Sequence, residues 1–141
     1  MGRCDGQGGE DPELGLGRSG HKYTRTDSPR QGAGDRSSLA RELPNLSLAG
    51  YWWHNFFPEV IRQIIGERLD ILPASKQVGF FSDAYCIEWT YAKAILVRRQ
   101  LARVLGQRIE QDQFTFEEAV RIAEDILFQT PQKLLGMVPR A

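Results

Sequence analysis

Between Pro44 and Gln111 the chain twice repeats one pattern, a short run of strand-forming residues leading into an amphipathic helix. The first run, Asn45-Leu46-Ser47-Leu48-Ala49-Gly50-Tyr51-Trp52-Trp53, predicts a strand over about 46–52. Pro58 then opens a helix at its first turn, where the missing N–H costs nothing. Ile61, Ile64, Ile65 and Leu69 follow at helical spacing, and Pro73 marks the stop. The second run, Gln77-Val78-Gly79-Phe80-Phe81-Ser82, predicts another strand, and a long helix is expected from about Ala84 to Gln111. Ile87, Tyr91, Ala94, Ile95, Leu101, Leu105 and Ile109 form its apolar face, and Arg98, Arg99, Arg103 and Arg108 lie mostly off it. Strands alternating with helices imply right-handed crossovers, a parallel sheet and an α/β fold.

The flanking residues divide the chain sharply. Nine of the fourteen glycines precede residue 37, where large aliphatic residues are almost absent. Such a segment buries too little apolar surface to offset chain entropy, so residues 1–37 are expected to be disordered. Residues 38–141 carry the fold. Ser38 to Leu43 predicts a short helix ended by Pro44. Thr115 and Glu118 have capping-box spacing, and Phe116, Ala119, Val120, Ala123, Ile126 and Leu127 are expected to form the buried stripe behind it. Thr130-Pro131 restarts a short helical turn that Gly136 closes. Two parallel strands leave edges and apolar faces open, so this pattern reads as a piece of a larger domain.

Composition narrows the function classes. Eighteen basic residues balance eighteen acidic ones, which argues against a nucleic-acid binder and against a polybasic membrane-surface protein. No apolar stretch suits a signal peptide or a membrane span, and a soluble cytoplasmic protein is expected. Cys4 and Cys86 have no metal-site or disulfide-framework spacing. Cys86, beside Ile87, is expected to be a small buried hydrophobe.

Functional groups in α/β sheets gather past the C-terminal ends of the strands. Two clusters fall there: Tyr51-Trp52-Trp53-His54-Asn55 after the first strand and Ser82-Asp83-Ala84-Tyr85 after the second. Asp83 suits either of two roles. It can cap the following helix, or stand as a carboxylate that ligates a metal or moves a proton. His54 fits a structural or substrate-contacting role better than a metal-ligand one. Trp52 and Trp53 point to opposite faces if the strand runs through them, so at most one is expected to face a site and the other to pack. Glu88 fits the surface.

Taken in order and spacing, Leu48-Ala49-Gly50-Tyr51-Trp52-Trp53-His54-Asn55 and Val78-Gly79-Phe80-Phe81-Ser82-Asp83 resemble the end of the uronate (glucuronate) isomerases. These are metal-dependent (β/α)8 barrels of the amidohydrolase superfamily. In that family a Trp-Trp-aromatic-Asn run leaves the seventh strand and a Thr/Ser-Asp pair ends the eighth. A long helix and a short helical tail then close the chain. The resemblance, over roughly residues 38–137, implies the C-terminal part of a TIM barrel: its last two strands and the helices that follow. The implied parent reaction is aldose–ketose isomerisation of a hexuronate, such as glucuronate to fructuronate. By the same resemblance Asp83 matches a catalytic metal ligand, for a divalent, zinc-like ion in the parent enzyme. Trp52, Trp53, His54, Asn55 and Tyr85 fall on the substrate side, a small-molecule sugar acid is the implied partner, and homo-oligomers are compatible with it.

The match departs from the family pattern at several positions. Tyr85 stands where an arginine suited to a sugar-acid carboxylate is expected, and tyrosine supplies no charge. His54 replaces an aromatic residue. The family's His-x-His pair has no counterpart, because the chain contains only His21 and His54. The chain alone is therefore expected to be inactive and to bind no metal tightly. Its Gly-, Arg- and Ser-rich start suggests a truncated or frame-shifted reading of a longer gene. The alternatives are a metal-dependent hydrolase of the same superfamily and a small non-enzymatic interaction module.

Overall fold

The computed structural model describes residues 15–16, 22–25, 33–51, 56–82 and 84–137. Their elements are β1 (Gly15–Leu16), β2 (Lys22–Arg25), α1 (Ala33–Glu42), β3 (Leu46–Ala49), α2 (Pro58–Ile71), β4 (Gln77–Val78), α3 (Ile87–Glu110), α4 (Phe116–Glu124) and α5 (Thr130–Leu134). A 3-10 turn at Ala74–Lys76 precedes β4, and a π-helical turn at Asp125–Gln129 joins α4 to α5. The fold is α/β and mostly helical.

The parallel pair is the one the alternation predicts. Leu48 faces Gln77 and Ala49 faces Val78 across β3 and β4, and α2 makes the crossover that a parallel connection requires. Leu46, Ser47, Leu48, Gln77 and Val78 are all buried, so both faces of the pair are covered.

Both strands are shorter than their apolar runs. β3 stops where Gly50 turns left-handed at φ +60°; a Cβ there would lie 2.8 Å from the Cβ of Phe81. The Gly50 N–H still donates to the Val78 carbonyl (2.9 Å). β4 stops because the Gly79 N–H leaves the sheet and donates to the carbonyl of Ile126 in the π turn (2.9 Å).

Residues 15–16 and 22–25 form strands beside β3. β2 pairs parallel with β3, from Lys22 opposite Leu46 to Arg25 opposite Ala49, and β1 pairs antiparallel with β2. The pairing runs along the open edge of β3 through backbone hydrogen bonds, a driving force that composition does not report. α1 likewise begins at Ala33, five residues before the predicted start.

The main core lies between α2 and α3. Ile61, Ile64 and Ile65 pack with Val97, Leu101, Val104 and Leu105, and Tyr51, Ala119 and Ile126 close the cluster. Outside it, Arg108 of α3 pairs with Asp70 of α2 (2.7 Å). A smaller cluster of Ala40, Leu46, Leu48 and Leu72 holds α1 against the sheet. The helix ends are satisfied by long-range partners. Lys76 donates to the carbonyls of Ala40 (2.6 Å) and Leu43 (2.8 Å) at the end of α1, and Gln77 donates to Leu72 O (2.9 Å) at the end of α2.

The helical periods are those expected, but their burial is not uniform. Ile87 and Tyr91 are 81% and 73% exposed, and Phe116 and Val120 of the predicted α4 stripe are also exposed. Cys86, expected to be buried, is exposed as well. All of these sit where α3 and α4 extend beyond the α2–α3 core, and no described element lies over them. No helix among the described residues is long and apolar enough to cross a membrane.

Two outcomes follow from this packing. Gly79→Ala would drive its Cβ into the Ile126 side chain and within 3.2 Å of the Ile126 carbonyl. It is expected to lower unfolding free energy by about 1–3 kcal/mol in urea titration. The capping box is formed: Glu118 N–H donates to Thr115 Oγ1 (3.2 Å) and Thr115 N–H donates to Glu118 Oε2 (2.9 Å). That backbone N–H, then the Thr115 hydroxyl, holds the Glu118 carboxyl below its ordinary value. The stabilisation of α4 is thus present above the unfolded carboxyl pKa and lost as pH falls through the lower folded value. The protection of the Glu118 amide, measured as exchange relative to the unstructured rate at the same pH, should fall on acidification, and Glu118→Gln should flatten that dependence.

Candidate functional site

The sequence places its chemistry on the two loops that leave β3 and β4, and the parallel register brings those loops to the same end of the sheet. Trp52, Trp53, His54, Asn55 and Asp83 themselves lie outside the described residues. The residues bracketing them are described and converge. Phe56 follows the first run, and Ser82 precedes Asp83.

The residue that joins them is Lys93, on the second turn of α3. Its Nζ donates to the Ser82 carbonyl (2.9 Å) and lies 4.4 Å from the centroid of the Phe56 ring and 5.9 Å from that of Trp89. Phe56 and Trp89 meet edge to face at 6.0 Å between centroids, and Tyr85 meets Trp89 likewise at 6.3 Å. The side chain of Lys93 is only 5% exposed, so the ring faces act on an ammonium largely removed from water. Tyr85 is 93% exposed, on the outer side of this cluster. Helical spacing alone hid Lys93, because a lysine on a long amphipathic helix usually reads as part of the solvated face.

Beneath the loops is a second buried cation. Arg68 extends the Ile61, Ile64, Ile65 stripe of α2, is 2% exposed, and holds its guanidinium over the Tyr51 ring at 5.1 Å. Burial pushes the Tyr51 phenol above its ordinary value, and the Arg68 charge opposes that shift. Burial also pulls Arg68 downward, with Tyr51 opposing. The Nη2 of Arg68 has no hydrogen-bond partner among the described residues. An arginine in register with the isoleucines was the available sequence signal. Among the described residues, no three His, Cys, Asp or Glu side chains come together as a metal site.

Together β3, α2 and β4 form an α/β unit whose two strand-exit loops leave at the same end of a parallel pair. Solved structures of the same fold give that class a name. The chain is similar to the glucuronate isomerase of Caulobacter crescentus, with a TM-score of 0.77 and 21% identity over 96% of this chain and 27% of that one. It is similar also to the uronate isomerase of Thermotoga maritima, with a TM-score of 0.69 and 21% identity over 73% of this chain and 23% of that one. The chain thus spans about a quarter of the length of these enzymes, and its fold is uronate-isomerase-like. No protein-family profile and no curated protein matches the sequence.

Arg68 and Tyr51 yield a paired prediction. Tyr51→Leu leaves the guanidinium buried without its ring and is expected to cost about 2 kcal/mol or more. Arg68→Met removes a buried charge with an unpartnered nitrogen, and should be close to neutral or stabilising. Urea unfolding of the two variants measures the contrast.

Proposed function

We propose that the chain is the C-terminal part of a (β/α)8 barrel of the uronate-isomerase kind, contributing the last two strands and one wall of its site. The observation that carries this reading is the superposition of nearly the whole chain on one quarter of a glucuronate isomerase, with both motif-bearing loops at the same end of a parallel pair. In this reading the parent enzyme interconverts an aldose and a ketose form of a hexuronate. Asp83 serves as a metal ligand or proton-transfer group, and Trp52, Trp53, His54 and Asn55 line the substrate side. A divalent ion would draw its other ligands from strands contributed by the rest of the barrel, because the chain holds only two histidines, His21 and His54, and the chain alone is expected to be inactive. Tyr85 brings no charge to a sugar-acid carboxylate, and its exposure supports a position at the rim.

A hydrolase of the same superfamily would use the same wall, with Tyr85 marking the change of substrate. A small interaction module takes support from a different observation, the exposed apolar residues Phe57, Tyr85, Ile87 and Tyr91. Those residues suit a face awaiting the rest of a barrel equally well.

The test is a chimera in which residues 38–137 replace the corresponding quarter of the Caulobacter enzyme. The expected product is a soluble, metal-loaded protein that isomerises glucuronate and loses activity in Asp83→Asn. Tyr85→Arg should raise kcat/KM for glucuronate about tenfold by adding one charge-assisted bond. A folded, metal-loaded chimera whose activity is indifferent to Asp83 would overturn the reading. So would a sharp two-state melt of the isolated chain with no dye binding, which would favour the module.

A further inference from the structure

We infer that Lys93 is a positioning residue that fixes the distance between the two strand-exit loops. The inference rests on the proposal that those loops form one site, and it deepens that proposal by naming what holds them in register. Every candidate site residue lies on one of the two loops. Trp52 to Asn55 end one residue before Phe56, and Asp83 begins one residue after Ser82. Lys93 touches both bracketing residues, Phe56 through the face of its ring and Ser82 through its carbonyl oxygen.

Among the described residues, neither loop has a repetitive backbone ladder at Phe56 or Ser82. β3 has ended at Ala49 and β4 at Val78, each followed by a glycine at close quarters with its neighbours. An ammonium suits the task because a single point charge satisfies a carbonyl and ring faces at the same time, in directions a neutral donor cannot combine. α3 provides a rigid base, since four residues further on Val97 is fully buried in the main core. Lys93 therefore references both loops to a helix anchored in the main core. It acts on the site through Phe56 and Ser82, without touching substrate.

The experiment compares amide hydrogen exchange, by peptide mass spectrometry, in the full chain and in Lys93→Met and Lys93→Arg. In Lys93→Met, exchange over residues 50–57 and 79–86 should rise about tenfold, while residues 97–105 keep their protection. Lys93→Arg, which retains a charged donor, should restore most of the protection in both loops. The side-chain protons of Lys93 should also carry upfield ring-current shifts from Phe56 and Trp89, a signature that records the geometry directly.

Phe56→Leu makes the same test from one side and remains available should Lys93→Met not fold. It removes the ring and leaves the bond to Ser82, so loosening should be confined to 50–57. Unchanged loop exchange in Lys93→Met would overturn the inference, as would a uniform rise that includes residues 97–105. These outcomes are separate from those of the chimera. Loops that loosen as expected beside an inactive chimera would leave the tether standing and remove the isomerase reading. An active chimera indifferent to Lys93→Met would do the reverse.

Discussion

Parallel strands cannot be joined by a tight turn, and the rest of this chain is arranged around that constraint. The path from the end of β3 to the start of β4 must cross the sheet, and α2 makes the crossing. The isoleucine stripe of α2 presents one broad face, and α3 packs on it through Val97, Leu101, Val104 and Leu105. The C-terminal helices in turn depend on that assembly, since Ile126 reaches the same core and its carbonyl receives the Gly79 N–H as the strand ends. The Thr130 hydroxyl donates to the carbonyl of Ala74, tying α5 to the turn before β4 (3.0 Å).

The same geometry gives the strand-exit end its character. With β3 and β4 in register, both loops emerge together, and both are deflected by glycines at the points where regular pairing ends. Two cations work at different depths beneath them. Arg68 is fully enclosed on the Tyr51 ring and bears on the stability of the core. Lys93 lies nearer the surface and bridges the loops. Burying either charge carries a desolvation cost that aromatic faces only partly offset, so neither is a position where chance surface lysines or arginines accumulate.

The apolar surface left open is concentrated where α3 begins. Tyr85, Ile87 and Tyr91 project from it with exposures of 93%, 81% and 73%. Under the proposed reading as part of a barrel, a helix face of this kind is what a continuing wall would cover. The amphipathic period of α3 is thus intact over its full length. Its apolar stripe meets the main core from Val97 onward, while Ile87 and Tyr91 stay exposed.

The sequence by itself determined the α/β class, the order of β3, α2, β4 and α3, the helix start at Pro58, the capping box at Thr115 and Glu118, and the resemblance carried by the two strand-exit motifs. These are local or periodic signals: fixed φ, reciprocal side-chain caps and a 3.6-residue repeat are written within a few residues of where they act. Tertiary structure decided the rest. It ended the strands at Ala49 and Val78, because Gly50 and Gly79 meet Phe81 and Ile126 across the chain. It recruited β1 and β2 by edge pairing, which composition cannot report. It left Ile87, Tyr91, Phe116 and Cys86 exposed, because an apolar period states which face seeks cover but not whether cover is present. And it turned Arg68 and Lys93 from members of helix faces into buried cations, since the energy of a charge depends on the rings and carbonyls that surround it in space and not on its neighbours in sequence.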